Sequence, residues 1–166
     1  MSPVVFLDLD GVMIDPANRS HGDKRFPGAV DRLLELCRST GALLVVSSDR
    51  RCDGKGYILG LIGTELEEYL HHDWDTPAVG HRVDEIRTWL IRNGGVLSSE
   101  DPLSFVILDD FDGHFRNAHM EVRNRLVLCD SKEGFTDEKL EEAKRILSSP
   151  LALSSDNGKG SLSRPD

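Results

Sequence analysis

Apolar residues fall along this chain in short runs that alternate with apolar residues at helical spacing. Val4-Val5-Phe6-Leu7 is a four-residue run, rich in β-branched and aromatic types, that reads as a buried strand. After a polar stretch containing Pro16, Asn18, Gly22, Asp23 and Pro27, the residues Val30, Leu33, Leu34 and Cys37 recur at helical spacing, and Gly41 ends that helix. Ala42 to Val46 is a second strand, closing on Ser47 and Ser48. Ile58, Leu61, Ile62, Leu66 and Tyr69 then predict a helix, with the polar Arg50 to Gly56 before it. A third strand, short or irregular, is expected near residues 71 to 80. Val83, Ile86 and Leu90 mark another helix, stopped by Asn93-Gly94-Gly95. Phe105 to Leu108 is a strand ending in Asp109-Asp110, and Leu126-Val127-Leu128 is the last strand. Leu140, Ala143 and Leu147 give a final helix with Thr136 as its cap.

This β-α alternation predicts an α/β fold of three layers, with a central parallel sheet, helices on both faces and right-handed crossovers. At 166 residues the chain is expected to form one domain over residues 1–148, burying roughly two-thirds of its unfolded surface. The stretch 149–166, rich in Ser, Gly, Asp and Pro, is expected to be a disordered tail.

Composition narrows the function classes. No apolar run approaches the ~18 residues of a membrane span, and no basic segment precedes an apolar one as in a secretion signal. Cys37, Cys52 and Cys129 are odd in number and widely spaced, which fits neither a disulfide framework nor a zinc site, so a reducing cytoplasm is the expected location. The formal charge of −9 would repel a polyanion over most of the surface, which argues against nonspecific nucleic-acid binding but not against a nucleic-acid end held locally.

The chemistry gathers at the strand ends. Asp8 and Asp10, Ser47 and Ser48, and Asp109 and Asp110 each follow an apolar strand directly, and in an open parallel sheet that edge is where ligands bind. Gly11 would let the chain turn sharply after the first pair. Like charges 4 Å apart repel by about 4 kcal/mol at an effective dielectric of 20, so a positive group must sit among the carboxylates. A hard, oxygen-binding cation such as Mg²⁺ meets that need, held by carboxylates, waters and a phosphate oxygen. Phosphoryl transfer uses such an ion, an Asp can accept the phosphoryl group, and a second Asp two residues on can protonate the leaving oxygen and later activate water.

Residues 4 to about 148 resemble the haloacid dehalogenase (HAD) superfamily in its phosphohydrolase branch. Asp8-Leu9-Asp10-Gly11-Val12 matches the first motif, which implies Asp8 as nucleophile, Asp10 as acid/base, and Mg²⁺ contacts from Asp8 and the Asp10 backbone carbonyl. Ser47, with Ser48 as a shift by one, matches the phosphate-binding hydroxyl of the second motif. Asp109-Asp110 matches the acidic fourth motif, with Asp109 the direct metal ligand. The third motif is usually a lysine; Arg82 is the first choice for that phosphate clamp, with Lys55 and Lys132 in reserve.

A narrower resemblance joins Ser47-Ser48-Asp49-Arg50-Arg51, Arg82 with Asp84-Glu85-Ile86 and Trp89-Leu90, Val106 to Asp110, and Gly134-Phe135-Thr136 to capless HAD domains, some of which accompany RNA-repair proteins. In that group Trp commonly stands where this chain has Arg50. Neither Val12 to Pro27 nor Arg50 to His81 leaves room for a folded cap, so an open site is expected. It would suit a phosphate on something bulky, such as a nucleic-acid end or phosphoprotein, unless an oligomer supplies the lid; the expected partner is a phosphorylated small molecule or macromolecule end.

Plainer readings stand beside these. Asp-X-Asp-Gly could be a turn or a calcium loop, and Asp110-Phe111-Asp112-Gly113 repeats the pattern with too little chain after it to supply the other motifs. His71-His72-Asp73 is read as a solvated loop, Trp74 and Trp89 as packing, and Arg116, Arg123 and Arg125 as a solvated helix face. The resulting expectation is a Mg²⁺-dependent phosphomonoesterase working through an aspartyl-phosphate on Asp8. Its rivals are a nucleic-acid-end phosphatase and a catalytically idle HAD-like binding module.

Overall fold

A computed structural model describes residues 1–94 and 102–149. Five strands form one parallel sheet: β1 (Val4–Leu7), β2 (Leu43–Val46), β3 (Leu70–Asp75), β4 (Phe105–Asp109) and β5 (Leu126–Leu128), in the order β3-β2-β1-β4-β5. Among the described residues five α-helices accompany them: α1 (Ala29–Thr40), α2 (Lys55–Ile62), α3 (Arg82–Arg92), the single turn α4 (Met120–Arg123) and α5 (Asp137–Ser148). The chain winds outward from β1 to β3, returns through α3 to β4 on the other side of β1, and ends beyond β5. The order therefore reverses between β1 and β4, which opens a crevice at the carboxyl ends of those two strands.

Strand periodicity explains the three layers. Val5 and Leu7 point to one face with Leu44, Val46, Val106 and Leu108, where α1, α2 and α5 cover them. Val4 and Phe6 point to the other face with Val45, Phe105 and Ile107, covered by Ile86, Trp89 and Leu90 of α3 and by Phe115 and Val122. Trp89 sits edge-on to Phe6 at 5.3 Å between ring centres, and its indole N–H donates to the Asp73 carbonyl at 2.8 Å. Strands buried on both faces carry no polar alternation, which is why β1, β2 and β4 read as unbroken apolar runs.

Other expectations need correction. The helix predicted from Ile58 to Tyr69 breaks at Gly63, whose positive φ of 116° favours glycine, and a 3-10 turn, Thr64–Tyr69, continues the chain. His71, His72 and Asp73 lie on β3 rather than in a loop; Arg92 and Asn93 hold the Asp73 carboxylate, and His71 packs edge-on against Trp89. Being an edge strand, β3 is only partly buried, and its register against β2 shifts between Leu44 and Val46. Arg125 belongs to no solvated face: it is buried, donates to the Ile146 carbonyl at 2.8 Å, and lies 5.9 Å from the centre of the Phe105 ring. Thr136 caps α5 by accepting from the Lys139 N–H, and all three cysteines are free thiols. The expected tail lies outside the described residues apart from Ser149. Among the described residues there is no cap domain, and no helix is long and apolar enough to cross a membrane.

One buried ion pair ties the sheet edge to α3. Arg51 donates to the Thr76 carbonyl at 2.7 Å and the Ser48 carbonyl at 2.8 Å, and its Nη2 lies 2.8 Å from the Glu85 carboxylate. Both side chains are almost wholly buried, so removing Glu85 would leave the interior Arg51 charge with only the exposed Asp49 carboxylate, 3.5 Å from Nη1, beside it among the described residues. Glu85→Ala is expected to cost about 3 to 5 kcal/mol of stability by denaturant titration, far beyond an ordinary surface change.

Candidate active site

Strand register assembles the site. Leu7 is level with Val46 on one side and Leu108 on the other, so the next residues along, Asp8, Ser47 and Asp109, arrive side by side. The ladder extends one step further: the Asp8 N–H donates to the Leu108 carbonyl and the Ser47 N–H to the Leu7 carbonyl, both at 2.9 Å. All three side chains are buried at this edge. The Cys129 N–H, donating to the Asp109 carbonyl at 2.9 Å, fixes the end of β4 from its far side.

The first turn of α3 supplies the positive charge. Arg82 is buried, with Nη2 3.6 Å from the Asp8 carboxylate and Nε 3.6 Å from Asp109 Oδ2. These separations give Coulombic attraction without a hydrogen bond. Arg82 Nε and Nη1, Ser47 Oγ and Asp109 Oδ2 are all buried with no hydrogen-bond partner. Buried polar atoms are ordinarily hydrogen-bonded, so a set of two cationic donors, a hydroxyl and a carboxylate oxygen without hydrogen bonds at one sheet edge fits a site for a charged ligand.

Asp110 completes the acidic cluster. One carboxylate oxygen from each of Asp8, Asp109 and Asp110 lies within 4.8 Å of the others. Asp110 reaches this position because residue 11 is glycine: a Cβ there would lie 2.0 Å from Asp110 Oδ2, and the φ of 78° is itself unfavourable for other residues. The glycine of the first motif thus admits an acid of the fourth. The oxygen-only donor set fits a hard divalent cation. Burial pushes the Asp8 carboxyl up to about 7, and the neighbouring Asp109 charge adds to that while Arg82 opposes it. Desolvation also raises Asp109 and Asp110 above the usual carboxylate range. A single guanidinium thus leaves the cluster short of positive charge.

The remaining candidates are placed differently. Ser48 Oγ accepts from the Arg50 N–H and caps the 3-10 turn Asp49–Asp53, whereas Ser47 Oγ stays unpaired. The Asp10 carboxylate receives both the Nε and Nη2 of Arg50 at 2.8 Å and is not among the three gathered acids. Lys55 pairs with Glu67 at the surface, and Lys132 is exposed in the turn that begins at Asp130. The sequence motifs do not mark Arg50, Arg51 or His114 as site residues. His114 Nδ1 lies 3.5 Å from Asp109 Oδ2 and its ring stands edge-on to the exposed Phe111. A polar cavity of about 260 Å³, lined by Asp49, His81, Arg82, Glu85 and His114 with Gly80 and Gly113, opens beside Arg82.

A family model of the HAD domain in Swiss Army Knife RNA repair proteins matches residues 4–140. The chain belongs to this family. The match spans the whole sheet and every strand-end residue described above, and membership supports a phosphohydrolase-type function for this HAD domain. No curated protein and no solved structure matches the chain.

The raised Asp8 carboxyl has a measurable consequence for the metal-free HAD domain. Its folded value of about 7 exceeds the unfolded value of 3.8, so the folded state holds the proton more tightly. The resulting destabilisation is absent below the unfolded value, grows as pH rises, and is complete above about 7. Asp8→Asn removes it. In chelator, this variant is expected to melt above the wild type near pH 8, with the gap narrowing steadily toward about pH 4.

Proposed function

We propose that this HAD domain is a Mg²⁺-dependent phosphomonoesterase that works through an aspartyl-phosphate on Asp8. The observation that carries the reading is the set of buried atoms without hydrogen bonds, Ser47 Oγ, Arg82 Nε and Nη1 and Asp109 Oδ2, beside the Asp8 carboxylate. Asp8, Asp109 and Asp110, with the Asp10 backbone carbonyl, would hold the ion. When bound, it would neutralise the carboxylates and polarise the phosphoryl oxygens.

Each chain residue then has a defined task. Ser47 Oγ–H and the Arg82 guanidinium donate to the phosphate oxygens and aim phosphorus at the Asp8 carboxylate. An Asp8 oxygen forms a bond to phosphorus as the ester P–O bond breaks, and the leaving oxygen takes a proton from the Asp10 carboxyl. Water next attacks phosphorus, giving its proton to the Asp10 carboxylate, and the bond to Asp8 breaks to release inorganic phosphate. Asp10 is protonated again for the next turnover. Burial of Asp8 and Asp109 strengthens each electrostatic contact with the phosphoryl group.

The open approach suits phosphate carried on a bulky group, and the family's association with RNA repair makes a phosphorylated nucleic-acid end the specific substrate reading. The net charge of −9 restricts such a substrate to contact through its end. We place the domain at residues 1–148, in the cytoplasm.

Phosphorylated metabolites, nucleotides, peptides and 3′- or 5′-phosphorylated oligonucleotides, assayed with Mg²⁺ and with chelator, test this reading. Metal-dependent release of phosphate is expected, and Asp8→Asn is expected to lower turnover by ~10³ or more, about 4 kcal/mol of barrier. Unchanged turnover in that variant rejects Asp8 as nucleophile. No turnover on any substrate would favour an idle binding module.

A further inference from the structure

All three nitrogens of the Arg50 guanidinium are engaged. Its Nε and Nη2 form a two-pronged pair with the Asp10 carboxylate, each at 2.8 Å. Nη2 also lies 2.9 Å from Asp23 Oδ1, and Nη1 donates to the Tyr57 hydroxyl at 3.3 Å. Three separate segments thus converge on one side chain: the loop after β1, the excursion that follows it, and α2. The Arg50 backbone is anchored in turn by Ser48, which caps the turn carrying it. The hydrogen bonds it donates to the Asp10 carboxylate, and then to Asp23, hold the guanidinium in its charged form.

The pairing bears on orientation. Asp10 lies beyond the end of β1, where its backbone makes an isolated bridge to Ile14, and its carboxylate is aimed by two side-chain torsions. A planar fork bonded to both carboxylate oxygens holds both torsions, which a point charge such as lysine cannot do as fully. The side chains of Arg50 and Asp10 are 17% and 24% exposed, so solvent screens the pair only in part. Arg50 has no described contact with Asp8, Asp109 or Arg82, which separates it from the phosphate cradle.

We propose that Arg50 is a positioning residue, held by Asp23 and Tyr57, that fixes the carboxylate of Asp10 for proton transfer to the leaving group and from the attacking water. This rests on the phosphomonoesterase reading above. A misplaced acid/base costs most where the leaving oxygen needs its proton most. An alkyl phosphate should therefore feel the loss of Arg50 more than p-nitrophenyl phosphate.

A double-mutant cycle on the full chain with Mg²⁺ decides the matter. Arg50→Ala is expected to lower kcat on an alkyl phosphate by roughly 10- to 100-fold with KM within about threefold, and Arg50→Lys to recover part of the loss. In an Asp10→Asn background, Arg50→Ala should cost less than about twofold more. If Arg50→Ala fails to fold by circular dichroism, Asp23→Asn loosens the same clamp from its outer side and should give a smaller loss with the same leaving-group dependence. Losses that multiply across the cycle, a change confined to KM, or a rise in kcat would each overturn the proposal. Turnover by the wild type with multiplying losses rejects Arg50's role alone; a wild type inactive on every phosphate ester rejects the phosphomonoesterase reading and this role with it.

Discussion

Asp8 and Asp109 are buried side by side at the carboxyl ends of adjacent strands, and the Arg82 guanidinium stands 3.6 Å from each. Two carboxylates in that position repel each other strongly, and burial removes the water that would screen them. Arg82 offsets part of this, yet its Nε and Nη1 remain without hydrogen bonds. The site is thus electrostatically incomplete, with the Asp8 carboxyl raised to about 7 and the buried Arg82 donors without hydrogen bonds. Structure that tolerates such strain at one place must be secured elsewhere. Here the buried Arg51–Glu85 pair locks the start of α3, and so Arg82, to the ends of β2 and β3.

The sheet topology makes this arrangement possible. Reversal of strand order between β1 and β4 opens a crevice at their carboxyl ends, and the common register of β1, β2 and β4 delivers one polar residue from each to the same level. Gly11 then matters for what it lacks, since its missing Cβ is the space that Asp110 occupies. Backbone choices that look local in the first motif prove to be requirements set by the fourth.

How much of this was legible in the sequence depended on burial. The strands β1, β2 and β4 are buried on both faces and announced themselves as apolar runs, so the acids and serines after them could be placed at one edge. Strand β3 is half-buried and carries His71, His72, Asp73 and Asp75, which obscured it. Arg82 could be nominated only by its place before a helix, and its position between Asp8 and Asp109 became visible in three dimensions. The Asp10–Arg50 pair spans 40 residues, and nothing in the local pattern distinguishes Arg50, which binds Asp10, from Arg51, which is buried against Glu85. Arg125 likewise looked like a surface charge, because its carbonyl partners at the end of α5 lie 21 and 24 residues away.

The central claim is that the incomplete cluster exists to receive a phosphoryl group on Asp8. Acid quenching during turnover preserves an acyl phosphate long enough for peptide mass spectrometry to locate it. The account predicts a phosphoryl increment on the peptide containing Asp8, formed with Mg²⁺ and absent with chelator. Steady turnover with no increment on that peptide, or with the increment on another residue, would contradict it.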